Sequence, residues 1–345
     1  MRKSWKGLTL AIFLVTLLVG LAACGQSSST PETNGGKSEP EENQPEKSGE
    51  KENEKTFKIG VTQIVEHDSL NAAFDGFKKA LEDAGLKVEY DIKNANDDKS
   101  VNTTIASDLV NSNVDLIFAN STPSAQAVVS VTDEIPIVFT SVTDAVGAEL
   151  VESMENPGGN VTGTIDTHPD AIPNTIKFLA EELGAKKIGM VYNSGEQNSR
   201  AQVDIAKKAL EGTDAEIEEA TVATSADVKQ ATESLIGKVD SLYIITDNTV
   251  VSALESVITV ANEYKLPLMV GEFDSVRKGG LAAYGFEYFD IGYEAGEMAA
   301  KILKGEAKPA DLPVQYPQNL KFVLNEETAK TIELDIKDEW NAELE

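Results

Sequence analysis

The chain has 345 residues and a formal net charge of −28. Its length holds two ordinary domains once tails are set aside. Its acidic balance excludes a nucleic-acid surface, which needs clustered Lys and Arg, and disfavours direct adhesion to anionic lipid. The single cysteine, Cys24, excludes an intramolecular disulfide and a cysteine-based metal site.

Residues 1–23 read as an export signal peptide. Arg2, Lys3 and Lys6 precede an apolar stretch at 8–19 that is too short to cross a bilayer comfortably. Leu21-Ala22-Ala23-Cys24 follows, and it resembles the bacterial lipobox, in which the cysteine is lipid-modified and becomes the mature N-terminus. An ordinary signal peptide with a chance cysteine is the alternative. Loss of 1–23 removes those three cations and no acid, so attachment falls to the acyl chains (palmitate or similar), at about 0.8 kcal/mol per buried methylene. Residues 24–55 are rich in Ser, Pro, Glu, Asn, Gly and Lys without apolar periodicity. They predict a disordered tether that reaches roughly 30 Å as a coil.

From residue 56 onward, short apolar strands alternate with amphipathic helices. The first half predicts strands at 57–63, 87–92, 114–119, 136–140 and 161–165. The second half predicts them at 187–192, 215–222, 241–246, 267–270 and 281–285, with a late one at 320–324. Between the first two, Leu70, Ala73, Phe74, Phe77, Leu81 and Ala84 recur at helical spacing, with Ser69 as cap and Gly85 as stop. A helix from Pro123 takes Thr122 as its cap, and 288–303 is another periodic helix, ended by Gly305. Such alternation implies parallel sheets covered on both faces. Two similar runs suggest two similar lobes; one continuous sheet is the alternative.

In open α/β sheets, ligands bind beyond the carboxyl ends of the strands. Those ends are polar here. They carry Gln63, Glu66 and His67 after the first strand, Ser121 and Thr122 after the third, and Ser141 and Thr143 after the fourth. The second half carries Tyr192 and Glu196, then Asp247 and Asn248, then Glu272. Helix capping alone explains many of these residue types, but the two roles coexist where a helix N-terminus receives a ligand carboxylate. Ser121, Thr122, Ser141 and Thr143 suit that carboxylate, and Asp247 and Glu272 suit an ammonium on the facing lobe. His67 reads equally as a cleft residue or a solvated loop residue. Tyr192 and Tyr284 read as ring contacts or as core. His67 and His168 are not spaced as metal ligands on one element, so no metal, cofactor or catalytic residue is expected. The tryptophans, Trp5 and Trp340, lie in the signal and in a C-terminal tail, away from any sugar-stacking role.

Five segments carry a resemblance over 57–334. They are Gln63-Ile64-Val65-Glu66-His67, Ala119-Asn120-Ser121-Thr122-Pro123-Ser124-Ala125-Gln126-Ala127, Asn156-Pro157-Gly158-Gly159-Asn160-Val161-Thr162-Gly163, Thr246-Asp247-Asn248-Thr249, and Asp274-Ser275-Val276-Arg277-Lys278-Gly279-Gly280. In order and spacing the chain resembles the ABC-transporter substrate-binding lipoproteins of tryptophan and tyrosine uptake. The resemblance implies an α/β type I periplasmic-binding-protein fold, with two Rossmann-like lobes joined by three crossover segments. The crossings are placed near 163–168, 285–288 and 317–319. Lobe one is then 56–164 plus 286–317, and lobe two 165–285 plus 318–345. It further implies an extracytoplasmic, lipid-anchored monomer that captures a small zwitterion, an aromatic amino acid, by hinge closure and serves a permease and its ATPase. The sequence departs from the family at Asp68, where Pro is common, and at Asn71, where Asp is expected. A sensor, or a nucleoside or sugar receptor of the same fold, is the alternative. A tethered hydrolase is disfavoured by the lack of a Gly-x-Ser-x-Gly elbow, a phosphate loop or a dinucleotide fingerprint.

Overall fold

A computed structural model describes residues 55–345. The expected signal peptide, Cys24 and all but the last residue of the tether lie outside the described residues. The first run of elements is β1 (Thr56–Gln63), α1 (Asp68–Asp83), β2 (Lys87–Asn94), α2 (Lys99–Asn111), β3 (Leu116–Asn120), α3 (Thr122–Val129), β4 (Ile137–Val142) and β5 (Val161–Ile165). Their strands form one parallel sheet in the order β2-β1-β3-β4-β5. Every residue of β3 and β4 is buried, as expected when helices cover both faces. Alternation along the strands divides the core. Ile59, Val61, Leu116 and Phe118 pack against Phe77 and Leu81 of α1, whereas Ile117, Ala119, Ile137 and Phe139 pack against Leu109 of α2 and Val128 of α3.

The second run is α4 (Ala171–Lys177), which continues as one π-helical stretch, then β6 (Lys187–Asn193), α5 (Gln197–Ala209), β7 (Glu216–Val222), α6 (Val228–Ser234) and β8 (Ser241–Ile244). It proceeds through α7 (Asn248–Val251), α8 (Leu254–Glu263), β9 (Leu268–Val270), α9 (Phe273–Lys278) and β10 (Ala282–Gly285). After α10 (Tyr288–Leu303) come β11 (Lys321–Leu324), α11 (Glu326–Thr331) and β12 (Glu343–Leu344). The second sheet runs β12-β11-β10-β9-β8-β6-β7. Within it, β7-β6-β8-β9-β10 repeats the order of the first sheet, and β11 is antiparallel to β10. Two separate sheets replace the single-sheet alternative. Each predicted strand is present, with its ends shifted by two residues or fewer.

The chain crosses between the lobes three times. It leaves β5 and enters α4, which packs against α5 and β10. It returns after β10 into α10, which lies along α1, β4 and β5. It leaves again after Gln315, whose backbone pairs with Ile165 and Gly163, to form β11 in the second sheet. The C-terminal segment is not a free tail. Trp340 is buried edge-on to Phe178 at 5.0 Å, and its Nε1 donates to Glu182 at 3.0 Å. Two caps also differ from expectation. His67, not Ser69, caps α1 by accepting from Leu70 N at 3.4 Å. Ser121, not Thr122, caps α3 by accepting from Ser124 N, which leaves the Thr122 hydroxyl to accept from Thr143 N.

Helices α1 and α10 approach closely because glycines face backbone there. A Cβ on Gly292 would stand 1.8 Å from the Ala73 carbonyl oxygen, and one on Gly76 would stand 2.0 Å from that of Phe289. Since α10 begins at the second crossing, this contact fixes one end of the hinge to the first lobe. Gly292→Ala should force the helices apart at a cost of roughly 1–3 kcal/mol. At roughly 2–4 °C per kcal/mol, the thermal midpoint should fall by several degrees. An unchanged midpoint in a thermal melt would mean the two helices slide freely.

Candidate functional site

The repeated strand order creates a topological switch point in each lobe, between β1 and β3 and between β6 and β8. Ligands bind at such points, outside the carboxyl ends of the strands. The two sets of ends face one another across a narrow cavity of about 10 Å³. His67, Leu70 and Ser141 line it from the first lobe, and Asn198, Thr246, Asn248, Val251 and Glu272 from the second. Asp166 and Tyr288 line it from two of the crossings.

On the first-lobe wall, two serines hold positive φ, Ser121 at 105° and Ser141 at 56°. Such a backbone is strained for a residue with a side chain and persists where the surroundings enforce it. At Ser141 it leaves the hydroxyl buried with no hydrogen-bond partner. His67 is buried. Burial first, and then the Lys278 ammonium, push its imidazole down to about 4, so the ring is neutral near pH 7. The crossings contribute a relay. The Tyr288 hydroxyl donates to Asp166 Oδ2 at 2.7 Å, and Thr143 donates to Asp166 Oδ1 at 3.1 Å. Burial raises the Asp166 pKa against these two donors.

On the second-lobe wall, Glu272 caps α9 by accepting from the Ser275 N–H at 3.0 Å and from the Ser275 hydroxyl. It is 2% exposed, and burial raises its pKa. Asn248 donates to Glu196 Oε2 at 2.5 Å, and Asn198 donates to the same oxygen at 3.1 Å. The amide oxygen of Asn198 is buried without a partner. Asp247 stands behind this wall rather than on it. Its carboxylate accepts from Ser199 Oγ at 2.6 Å, Asn193 N at 2.7 Å and Val250 N at 2.8 Å. Burial, with Glu196's charge added, lifts its pKa to about 8.

The structure thus brings His67, Ser141, Asn248 and Glu272 to the cavity. Gln63 lies one layer out, accepting from Asn120 Nδ2 at 3.0 Å and donating to Asn71. Ser121, Thr122, Thr143, Glu196 and Asp247 support the wall through the bonds above. Glu66 is exposed and does not reach the cavity. Tyr192 sits in the second-lobe core and donates to Glu219 at 2.6 Å, and Tyr284 stacks on Phe322 at 4.2 Å, so neither ring meets the cavity. Sequence reasoning missed Asp166, Tyr288, Asn198 and Thr246. Two of these lie inside the crossings that the resemblance placed at 163–168 and 285–288, which was the available signal. A wider groove of about 630 Å³ lies beside the cavity, with Val146, Met154, Ile165 and Ile205 in its walls.

The lobes touch through polar contacts at the rim. Lys99 Nζ donates to the Gly195 carbonyl at 2.8 Å, the Thr249 hydroxyl meets Asp97 Oδ2 at 2.9 Å, and Lys278 pairs with Asp68 at 3.0 Å. The last contact uses a residue at which the sequence departs from the family pattern. These bonds join elements of different sheets, so parting the lobes breaks them together.

Residues 58–343 match the family described as ABC transporter substrate binding protein. A tyrosine-binding protein of Clostridioides difficile (strain R20291) is 42% identical over 339 residues, which cover 97% of this chain and 94% of the relative. The crystal structure of an ABC domain in complex with L-Trp from Streptococcus pneumonia superposes with a TM-score of 0.80 at 32% identity, covering 84% of this chain and 99% of that one. The ligand-free, open structure of a substrate-binding protein with adhesive properties from Clostridium difficile is 40% identical, over 84% of this chain and 99% of that one, but has a TM-score of only 0.62. Greater identity with poorer superposition is what a rotation between lobes produces. The lobes of this chain therefore stand in an arrangement nearer to the ligand-bound relative than to the open one. These relatives share the type I periplasmic-binding-protein architecture, with two lobes and three crossings. By sequence, fold and lobe arrangement, the chain is a binding protein rather than an enzyme and belongs to the ABC transporter substrate binding protein family.

Proposed function

We propose that this chain captures an aromatic amino acid between its lobes and presents it to an ABC importer. The carrying observation is the charge pattern of the cavity. Its lining includes two buried carboxyl groups, Asp166 and Glu272, and no Lys or Arg. A buried carboxylate is costly until a cation joins it. An amino acid's ammonium supplies that cation. Its carboxylate then takes hydroxyl and backbone donors at the strained Ser141 turn, and Asn198 Oδ1 is a further acceptor for the ammonium. His67 and Tyr288 offer ring faces for an aromatic side chain. The tyrosine-binding relative and the L-Trp complex point to the same ligand class. A sugar receptor of this fold is less well supported, because Trp340, the one tryptophan among the described residues, is packed in the second-lobe core.

Closure supplies the mechanism. Residues 56–164 with 286–317 move as one unit and 165–285 with 318–345 as the other, about the three crossings. The solute stabilises the closed arrangement by its differential affinity for it, and moving the balance from about 1:99 to 99:1 takes about 5.5 kcal/mol. Two or three charge-assisted hydrogen bonds at about 1.5–3 kcal/mol each supply that amount. The closed rim is then the surface a permease reads. No helix among the described residues is long and apolar enough to cross a membrane. Cys24, as the lipidated residue, and the 24–55 segment, as a leash, would hold a monomeric chain at the outer face of the cell membrane beside that permease and its ATPase.

Two measurements test this reading. L-tyrosine or L-tryptophan at 100 times its Kd should stabilise the chain by about 2.7 kcal/mol in a thermal melt, and should lower the radius of gyration in solution scattering. A ligand-induced melt shift without compaction would sink the closure mechanism, and no shift with either amino acid would sink the ligand assignment. The second measurement uses Glu272→Gln. Loss of one charge-assisted bond should weaken binding about tenfold or more. Because the charge is no longer buried, the ligand-free melting midpoint should hold or rise. Equal affinity of variant and parent for L-tyrosine in calorimetry would remove Glu272 from the site.

A further inference from the structure

Where the 94–98 turn of the first lobe meets the second, one hydroxyl is shared by too many partners. Thr249 Oγ1 lies 2.9 Å from Asp97 Oδ2 and 3.0 Å from Glu196 Oε1, and it accepts from Asn193 Nδ2 at 2.9 Å. The Asn193 amide is held in that orientation because its oxygen accepts from Gly195 N at 2.9 Å. Thr249 is 0% exposed and Glu196 is 3% exposed, while Asp97 is half-buried and lines a solvent-open groove beside Glu196. A hydroxyl has one proton to give and two lone pairs to fill. Its proton satisfies one carboxylate, and Asn193 fills one lone pair. The second carboxyl oxygen then faces the remaining lone pair, oxygen against oxygen, unless it brings a proton of its own. One added proton completes the arrangement: one carboxylate accepts from Thr249, and the other, now a carboxylic acid, donates to it.

Asp97 belongs to the first lobe, and Glu196 and Thr249 to the second. The contact therefore exists only while the lobes are together, and the proton demand arises on closing. We propose that closure takes up one proton at the Asp97–Thr249–Glu196 contact, so that the chain binds its solute and a proton together, with Asp97 a positioning residue that sets affinity according to pH. This rests on the solute-capture reading above. The surrounding charges do not remove the demand. Lys99, two residues along, donates to the Gly195 carbonyl and keeps its charge, the last of the effects acting on Asp97; Asp98 caps α2, and Arg200 donates to Ser194 O. Asp247, on the far side of Glu196, adds a third acid with its own donors. His67, which lies near Asn248, is neutral. Burial raises the Asp97 pKa, the Thr249 hydroxyl opposes it, Glu196's charge adds to it and the Lys99 ammonium opposes it, with a net rise. Backbone geometry aims the residue here, since Asn96 and Asp97 both hold positive φ, at 51° and 63°.

The sign follows from linkage. If the closed state binds more protons than the open one, affinity is fully present at low pH and is lost as pH rises through the raised carboxyl pKa of the closed state. The limit for one proton is a tenfold loss per pH unit. Calorimetry of the full chain with L-tyrosine, in two buffers of different ionisation enthalpy between pH 5 and 8, should show heats that differ by buffer, reporting proton uptake. It should also show a Kd that rises with pH. Asp97→Asn should lower the proton uptake and flatten the pH slope relative to the parent, while still binding. Equal heats in both buffers with a pH-independent Kd for the parent chain overturn the proposal, as does an Asn variant that retains the parent's full proton count. A second arm needs no amino acid. Solution scattering of the ligand-free chain should show more compaction at low pH in the parent than in Asp97→Asn, and identical profiles overturn the proposal. Should L-tyrosine give no heat at all, the ligand assignment fails while the scattering arm still decides the proton.

Discussion

Carboxyl groups buried at the seam between two lobes are the constraint on which the rest of the structure depends. Asp166, Glu272, Glu196 and Asp247 are all buried there. In water each ionises without cost; in the seam each is held up by donors or raised in pKa. Such a seam is stable only where the neighbouring elements deliver enough N–H and O–H groups. The carboxyl ends of parallel strands do so, because each opens into a helix whose first turn has unpaired N–H groups. Glu272 is held by α9 and Asp247 by α7 in this way. Arg and Lys stay at the rim, where Lys99 and Lys278 bridge the lobes from outside.

The fold makes this seam adjustable. Each lobe has its own two-faced core, and the hydrophobic clusters fall on one sheet or the other. What spans the lobes is polar, apart from the three crossings. Polar contacts exchange for water at little net cost, whereas a shared apolar core would not. The poor superposition on the open relative, despite its higher identity, is the consequence expected of such a division. The glycine-lined contact of α1 with α10 works the other way. It is tight and backbone to backbone, and it ties the start of α10, at the second crossing, to the first lobe.

Much of the architecture was legible from the β-α rhythm, because strands buried on both faces are continuous apolar runs and the helices carry clear periodicity. The polar strand ends were legible too. What could not be read was which polar residues look inward. Tyr192 lies one residue before the end of β6, and strand alternation turns its ring to the α5 face, where Glu219 takes its hydroxyl. Glu66 precedes the cap of α1 and points to solvent, while His67 beside it is buried. Asp166 and Tyr288 are far apart in sequence and meet only because two crossings run side by side. Asn198 is a first-turn residue of α5 with no local mark to separate it from an ordinary helix start.

Capping and cavity lining fall on the same residues, and the geometry of the caps accounts for it. A capping side chain uses one edge to hold its own helix. If that helix start faces the other lobe, the free edge of the cap faces it as well. His67 caps α1 through Nδ1 and lines the cavity, and Glu272 caps α9 and lines it also. Asp247 caps α7 but takes donors from three residues of its own lobe, Ser199, Asn193 and Val250, where Glu272 takes its two from Ser275 alone, and Asp247 does not reach the cavity. The difference lies in how many donors crowd the cap, not in its residue type. A residue that caps with one edge is pre-oriented by the fold and has lost its rotamer freedom before any solute arrives, which lowers the entropy cost of capture. On the proposed solute-capture reading, caps placed at the cavity would let two lobes hold a small molecule with few side chains, each already aimed.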